Sequence, residues 1–290
     1  MRIDEVNKLK EAFEIGKPLL RAATSSYSPA IAECMGYAGA DIVWIGAEHS
    51  SVSWETLEHM ARACDCTGAV PMIRVNKQYP GYPSNIRKAL EIGAGVVIIP
   101  HINTKAEAEA VVRAAKFSSD VKYGEWPGDQ LRGWMDSRAA KYGMISGDKL
   151  ASFSDKNTLI EIQLEEGRAV ENVEEILSVE GIDMAHLAVG DYSNSIGLPG
   201  QSSHPKVKEA ERIVDEAIKR RGLIQRARLN WKDVLTDPEK AKEKAKEDIK
   251  DGRTAFCMSS DLVIIREVVR SCKKLLDEAW EEVKAEKGKE

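Results

Sequence analysis

The chain has 290 residues and a formal net charge of −5. This length suits one large α/β barrel or two smaller domains, and the acidic balance offers no basic face for nucleic acid. No apolar run approaches the roughly 20 residues of a membrane helix, and the polar, acid-containing start is neither a signal nor a transit peptide, so we expect a cytoplasmic protein.

Eight apolar stretches, each followed by a helical pattern, are predicted along the chain. A short amphipathic helix over 4–15 comes first, within an N-terminal extension of residues 1–16. The predicted strands cover 18–24, 41–46, 70–75, 95–99, 158–164, 182–189, 223–229 and 254–258. The predicted helices cover 28–38, 54–65, 84–92, 105–116, 167–178, 206–220, about 237–250, and 261–286.

Local signals fix several of these boundaries. Thr104 and Glu107 form a capping-box pattern at the start of the fourth helix, and His204-Pro205 opens the sixth, because proline suits the first helical position. Residues 117–157, with Trp126, Pro127, Trp134 and Met135, are predicted as a long loop insertion. Loops of this length are usually functional or mobile, so we expect a lid or a subunit contact.

The strands are almost continuously apolar, which is typical of a parallel sheet buried on both faces. Eight strand–helix units at this length predict a (β/α)₈ TIM barrel. We therefore expect a single barrel domain over 1–290, with an N-terminal helix and a long C-terminal helix. A doubly wound open sheet is the alternative, and the missing glycine-rich turn after the first strand argues against it.

Polar side chains follow the ends of the predicted strands. The carboxyl ends of the strands in such a barrel meet at one rim, where catalytic groups sit. The residues at these positions are Ser25, Ser26, Glu48, His49, Arg74, His101, Glu165, Asp191 and residues 259–261. The set offers two carboxylates for a metal, a histidine for proton transfer and an arginine for an anion.

Glu165 and Asp191 end the fifth and sixth strand–loop segments. Two carboxylates on neighbouring strand ends are able to share a hard divalent ion such as Mg²⁺ or Mn²⁺. The alternative is that both acids complement the dipoles of the helices that they precede. Glu166 is a rival ligand that is expected to point elsewhere.

His49 is a candidate general base, because its ordinary pKa lets it exchange protons near neutral pH. It could equally satisfy a backbone carbonyl in a loop. Arg74 ends the apolar strand VPMIR and could hold a carboxylate with its planar guanidinium, or it could form a structural salt bridge.

Arg226 and Arg228 share a face of the seventh strand. Together with Arg21 they would make the site basic and suit an anionic substrate, or they would form internal ion pairs. His186, within the sixth strand, is expected to be a satisfied core residue. A Schiff-base aldolase needs a desolvated lysine near the rim, and the predicted strands contain none, with Lys77 the nearest.

Several stretches together resemble a known family from about residue 28 to the C-terminus. They are GADIVWIGAEHS, VPMIRVN, ALEIGAGVVIIPHINTKAEAEAVVRAAKF, IQLEEGRAVENVEEILSVEGID and VGDYSNSIGLPGQSSHPKV, with the final strand and helix. The chain is similar to the HpcH/HpaI family of class II, metal-dependent 2-oxo acid (pyruvate) aldolases.

This resemblance implies a (β/α)₈ barrel that assembles as a hexamer, a trimer of dimers often exchanging the last helix. It implies a divalent cation (Mg²⁺, Mn²⁺ or Co²⁺) held by Glu165 and Asp191, with pyruvate bound by Arg74 and the backbone amides of Gly190 and Asp191. His49 matches the acid/base histidine. The implied reaction cleaves a 4-hydroxy-2-oxo acid to pyruvate and an aldehyde, or joins the two.

One departure concerns the proton-transfer step. Many members read D-G-E-H where this chain has Gly46-Ala47-Glu48-His49, so the aspartate that pairs with the histidine is a glycine here. Proton transfer would then move to Glu48, a bound water or another group. An oxaloacetate-type decarboxylase or a condensing enzyme at the same site is therefore an alternative, and a non-catalytic barrel scaffold is a third.

Overall fold

A computed structural model describes residues 8–77, 82–117, 132–133, 136–145 and 147–287. Its eight strands are β1 (Leu19–Thr24), β2 (Ile42–Gly46), β3 (Val70–Arg74), β4 (Val96–Ile99), β5 (Leu159–Leu164), β6 (Met184–Leu187), β7 (Gln225–Arg228) and β8 (Arg253–Ser260). Each begins and ends within a few residues of its predicted position.

The helices alternate with the strands. They are α1 (Lys8–Glu14), α2 (Pro29–Tyr37), α3 (Trp54–Thr67), α4 (Tyr82–Glu91), α5 (Lys105–Ala115), α6 (Gly147–Asn157), α7 (Gly167–Glu171), α8 (Val173–Ile176), α9 (Val189–Ser195), α10 (Pro205–Arg220), α11 (Trp231–Thr236), α12 (Pro238–Lys250) and α13 (Asp261–Lys287). None of these described helices combines the length and apolar character needed to cross a membrane.

The strands pair in the order β6-β5-β4-β3-β2-β1-β8-β7, and every pair is parallel. The two outer strands of this order meet through a parallel bridge between Met184 and Ile224. The sheet thus curls into a nearly closed barrel. The predicted (β/α)₈ TIM barrel is confirmed, and the open-sheet alternative is wrong.

Apolar side chains fill two separate layers. The larger core lies between the strands and the surrounding helices. A smaller one fills the base of the barrel lumen, with Ile42, Met72, Ile98, Leu159 and Met184 almost fully buried. Because side chains alternate across a strand, the inward positions nearer the carboxyl ends carry polar groups instead, which places the chemistry at one end of the lumen.

Four segments differ from their predicted structure. Within the expected 117–157 loop, α6 forms over Gly147–Asn157, where Leu150 packs with Ala140. The helix expected over 167–178 is broken into α7 and α8 at Asn172, whose side-chain amide donates to the Asn103 carbonyl at 2.8 Å. The short helices α9 and α11 were not predicted.

The predicted helix starts are confirmed in detail. Thr104 and Glu107 form the complete capping box of α5, and His204 caps α10 by accepting from the Lys206 amide. Trp126, Pro127, Trp134 and Met135 lie outside the described residues. Arg132, within the same segment, donates to the Ala115 carbonyl at 2.8 Å.

Candidate active site

Side chains from five consecutive strand ends gather at the carboxyl rim of the barrel. Glu48 follows β2, Arg74 ends β3, His101 follows β4, Glu165 follows β5, and Asp191 lies in the first turn of α9, after β6. We call this group the rim cluster. Neighbouring parallel strands end side by side, so residues far apart in sequence converge here.

His101 lies at the centre of the cluster. Its Nδ1 is 2.8 Å from Glu165 Oε2 and 3.1 Å from Glu166 Oε1, and its Nε2 is 3.4 Å from Glu48 Oε1. One imidazole thus contacts three carboxylates that come from two different strand ends. Glu166, expected to point away, reaches the edge of the cluster through this histidine.

The backbone at His101 is strained. Its φ of 57° lies in the left-handed region, which costs a non-glycine residue on the order of 1–3 kcal/mol and is most often found at functional sites. Lys77 donates to the His101 carbonyl and is 2.7 Å from Glu107. This anchor, together with the start of α5, holds the unusual conformation.

Glu165 is 2% exposed, and burial raises the pKa of its carboxyl group to about 7. The positive charge of His101 opposes this shift, whereas the negative charges of Asp191 and Glu48 add to it. Gln163, two residues earlier on β5, donates to Glu165 Oε1. The carboxylates are close enough to disfavour one another's charge, so the site favours a cation.

Arg74 stands beside this cluster. Its Nε lies 3.3 Å from Glu48 Oε2, yet both atoms are buried without a hydrogen-bond partner among the described residues. The guanidinium also lies over the Trp44 ring, 5.2 Å from its centroid. The two side chains form an ion pair, which was the alternative prediction for Arg74.

Trp44 explains the glycine at position 46. Both residues point into the lumen, and a Cβ added to Gly46 would lie 2.5 Å from Cη2 of the Trp44 ring. The ring is bracketed by Arg74 and by Arg21, whose guanidinium carbon is 5.7 Å from the centroid. The space above Gly46 is therefore filled by an indole, which leaves no room for a carboxylate there.

His49 lies at the edge of the group. Its side chain is 67% exposed, and Nε2 is 3.6 Å from Glu48 Oε2. The predicted catalytic histidine is thus beside Glu48 but is much less enclosed than His101. Sequence reasoning placed His101 on the rim without giving it a role; its position directly after a fully buried strand and a proline was the available signal.

The residues fit the divalent cation that the sequence implies. Within the described residues, no group of three or more His, Cys, Asp and Glu side chains is arranged to hold a metal. Mg²⁺, however, is usually bound by one or two carboxylates, with waters and substrate completing its shell. Glu165 and Asp191 supply that number, and the charge of Asp191 adds to the upward shift that burial causes in the pKa of Glu165, which places the two carboxylates near each other.

Gly190 lies beside Asp191 in the first turn of α9. Amides in the first turn of a helix have no acceptor within the helix. Both residues predicted to bind pyruvate through their amides are therefore in a turn with free donor capacity.

A second charged group lies deeper in the lumen. Glu161 is fully buried, with Oε2 3.1 Å from Arg21 and Oε1 2.6 Å from His186 Nδ1 and 3.9 Å from Arg226. Burial acts to raise the pKa of Glu161, but Arg21, the hydrogen-bonding ring of His186 and Arg226 lower it well below its ordinary range. Arg21 and Arg226 thus form internal ion contacts, one of the two alternatives for these arginines.

Asp261 gathers the remaining rim residues. It accepts hydrogen bonds from Thr24 Oγ1 at 2.9 Å, the Ser25 amide at 2.7 Å and Ser26 Oγ at 2.5 Å. Burial alone would raise the pKa of Asp261, and these hydrogen bonds lower it instead. Its oxygens are satisfied by the protein, so this group fastens α13 to the end of β1.

Comparisons with known proteins agree with this architecture. The family model described as HpcH/HpaI aldolase/citrate lyase matches residues 24–247. The chain is 33% identical over 217 residues to a 2-keto-3-deoxy-L-rhamnonate aldolase of Escherichia coli, covering 74% of each chain. It is 31% identical over 212 residues to a 2-dehydro-3,6-dideoxy-6-sulfogluconate aldolase of Pseudomonas putida, covering 73% of this chain and 74% of the relative.

A solved structure also resembles the whole fold. An HpcH/HpaI aldolase/citrate lyase family protein from Burkholderia cenocepacia superposes with a TM-score of 0.79 at 25% identity, covering 94% of this chain and 100% of the other. The similarity extends over nearly the full barrel.

Proposed function

Because the chain belongs to the HpcH/HpaI aldolase/citrate lyase family, we propose that it is a metal-dependent carbon–carbon lyase. It cleaves or forms a 4-hydroxy-2-oxo acid through a pyruvate enolate, with an aldehyde as the other partner. Two relatives are named as aldolases of 2-keto or 2-dehydro sugar acids, which supports a small 2-oxo acid as substrate. The non-catalytic scaffold has no support from these relatives.

The observation that carries this proposal is the gathering of the Glu165, Glu48 and Asp191 carboxylates at one end of the barrel, with Glu165 buried. Glu165 and Asp191 would hold Mg²⁺, Mn²⁺ or Co²⁺. When bound, the cation would withdraw electron density from the ketone oxygen of the substrate and favour the enolate. His101 contacts Glu165 at 2.8 Å, which would hold this carboxylate in position.

Arg74 binds the 2-oxo acid. Its Nε lies 3.3 Å from Glu48, and the guanidinium offers several donors in one plane. A carboxylate or developing enolate oxygen would satisfy these donors, which stabilises negative charge as the carbon–carbon bond breaks. The amides of Gly190 and Asp191, in the first turn of α9 after β6, would hold the substrate carboxylate.

Proton transfer at the 4-hydroxyl falls to His49 with Glu48. The two side chains lie 3.6 Å apart, and Glu48 would orient the imidazole in place of the family's aspartate. A second candidate reaction is decarboxylation of an oxaloacetate-like acid, which needs no base at a hydroxyl group. The Trp44 ring over Gly46 favours it, because the site where that aspartate would project is filled.

The chemical test uses the purified chain with pyruvate and a panel of aldehydes, with each of the three cations or with EDTA. We expect adducts, identified by mass spectrometry, only when a cation is present. Adducts of equal yield in EDTA would contradict metal dependence. No product from any aldehyde, together with oxaloacetate turnover, would favour the decarboxylase.

The role of His49 is tested separately. His49→Ala should slow aldol cleavage far more than oxaloacetate decarboxylation, whereas His59→Ala, which changes an exposed histidine on α3, should alter neither. Equal slowing of both reactions by His49→Ala would remove the proton-transfer role.

We also propose that the chain is a homo-oligomer assembled through α13. This 27-residue helix exposes a stripe of large apolar side chains, including Leu262, Ile265, Val269, Leu276 and Trp280, each between 48% and 64% exposed. A surface of this kind normally marks an interface, and a second copy of the chain would bury it. Trp280→Glu should lower the molar mass measured by light scattering; an unchanged mass would contradict this interface.

A further inference from the structure

A cavity of about 810 Å³ opens in the barrel wall away from the rim cluster. It lies between β6 and β7, where the two strands meet at the Met184–Ile224 bridge, and α10 and α12 form its outer side. His186, Arg226 and Cys257 line its inner side. Within the described chain, no side chain of the rim cluster contributes to this wall.

The wall carries more cations than acids. Each of its four carboxylates has a cation of its own: Glu211 with Lys208 at 2.7 Å, Asp215 with Arg253 at 2.8 Å, Glu216 with Arg212 at 2.5 Å, and Asp248 with Lys244 at 2.9 Å. The two cations outside these pairs are Arg226 and Arg228. They are two residues apart on β7 and therefore share its inner face.

Neither arginine has a carboxylate to itself. Arg226 is 3.9 Å from Glu161, but Glu161 already pairs with Arg21 at 3.1 Å. Arg228 forms no ion pair with any acid in the described part of the chain. The lumen group of Arg21, Arg226, Arg228 and Glu161 thus carries two more positive charges than negative ones. Burial lowers the pKa of His186 to about 3, so this histidine is neutral and adds no charge to the group.

We infer that this cavity binds a small oxyanion, a phosphate or carboxylate group, between Arg226 and Arg228. Arg226 is half-buried and shares Glu161 with Arg21, and Arg228 is exposed without an acidic partner among the described residues. Guanidinium groups match the paired oxygens of both anions. The overall charge of the chain is −5, so the local positive excess is not a general property of the surface. The site lies outside the proposed reaction centre and does not depend on the proposed function.

Binding is tested by titrating the full chain with inorganic phosphate or with malonate at constant ionic strength set by sodium chloride. We expect saturable heat of binding for at least one of the two anions. Binding of phosphate or of malonate shows whether the cavity recognises a phosphate or a carboxylate group. Arg228→Gln should weaken that binding by at least about tenfold, the usual effect of losing one charged hydrogen-bonding partner.

Lys242→Gln is the matched control. It also removes one positive charge, in this case from α12. Lys242 is not part of the cavity wall and pairs with Glu239 at 3.7 Å. Its affinity for the anion should equal that of the wild type. Arg228 is exposed, so Arg228→Gln should fold normally, which a thermal melt without added anion verifies.

Cys257 gives a second readout at the site itself. Its thiol lines the cavity, and its residue pairs with Arg228 in the sheet register. The bound anion should slow alkylation of Cys257 by iodoacetamide and leave the exposed Cys34 unaffected, as measured by peptide mass spectrometry. The inference is overturned if neither anion binds, or if Arg228→Gln binds as tightly as the wild type and Cys257 is not protected.

Discussion

Glu161 and Glu165 lie four residues apart, on the same inward face at and just past β5, and both are almost completely buried. Glu161 is surrounded by Arg21, His186 and Arg226, and its pKa is lowered despite burial. Burial raises the pKa of Glu165 to about 7; the nearby His101 opposes this shift, and the carboxylates of Asp191 and Glu48 add to it.

The contrast separates two uses of a buried carboxylate. The charge of Glu161 is neutralised within the protein, so this residue holds the lumen together. Glu165 pairs with no arginine or lysine among the described residues and lies near two other carboxylates, so this residue is suited to a cation from solution. The same change of glutamate to glutamine should therefore weaken metal binding at Glu165 and lower the free energy of unfolding at Glu161.

The largest effect is expected from Glu165→Gln. Loss of a residue that merely supports a ligand already weakens metal binding about 10–100-fold, so loss of the ligand itself should cost on the order of 100-fold or more. The metal-free protein should keep its stability, because one member of a repelling group becomes neutral. Isothermal titration with Mn²⁺ measures the affinity, and Glu175→Gln, which changes an exposed acid on α8, is the control; unchanged affinity in Glu165→Gln would refute the ligand assignment.

Glu161→Gln should show the reverse. Removing one partner of a buried ion pair leaves uncompensated charge and costs about 3–5 kcal/mol of unfolding free energy, here from Arg21 and Arg226. Urea denaturation in EDTA measures this loss, while Mn²⁺ affinity should stay within a factor of about three of wild type. A loss of stability below about 1 kcal/mol would show that Glu161 is not the central anion of the lumen.

The Trp44–Gly46 contact should be visible as coupling between two substitutions. Gly46→Ala places a methyl group against the Trp44 ring, and such overpacking typically costs about 1–3 kcal/mol. In a Trp44→Leu background the same change should cost much less, since the obstructing ring is gone. Gly190→Ala is the control, because an added Cβ there meets no atom within 4 Å; additive effects of the first pair would exclude the contact.

The pH dependence of the stability of the metal-free protein is expected to be the smallest of these effects. The folded, metal-free protein keeps the Glu165 proton up to about pH 7, whereas the unfolded chain releases it near the ordinary value of 4.5. The unfolded state therefore binds fewer protons across this window, and the stability of the metal-free protein should decrease as pH rises through it. Urea denaturation in EDTA at several pH values measures the slope.

Metal binding should follow the same proton. A cation displaces it from Glu165, so affinity should fall about tenfold for each pH unit below 7 and level off above it. Calorimetry in buffers of different ionisation enthalpy counts the protons released. An affinity for the metal that does not change between pH 5.5 and 7 would show that Glu165 is not the group with the raised pKa.

The fold was predictable because its signals are local. Continuous apolar strands, the Thr104 cap and the His204-Pro205 start each depend on neighbouring residues, and their spacing gave the eight repeats. Strand ends in a parallel barrel must share a rim, so Glu48, Arg74 and Glu165 could be grouped without coordinates. Their assigned roles at the reaction centre remain predictions.

The parts that could not be predicted depend on directions in three dimensions. The alternation of β2 shows that Trp44 and Gly46 share a face, but only packing determines that the ring turns towards the glycine. His101 reaches the centre because its backbone enters the left-handed region, which a histidine rarely adopts. The sequence shows that Glu161 is an acid within an apolar strand. Its pairing with Arg21, however, depends on the closure of the barrel.

Exchange of the methyl protons of pyruvate in D₂O, followed by proton NMR, tests the central claim most directly, because it detects the enolate without an aldehyde. The account predicts exchange that depends on Mg²⁺, Mn²⁺ or Co²⁺ and is abolished by EDTA and by Asp191→Ala. Absence of exchange with all three cations, or exchange that persists undiminished in Asp191→Ala, would contradict it.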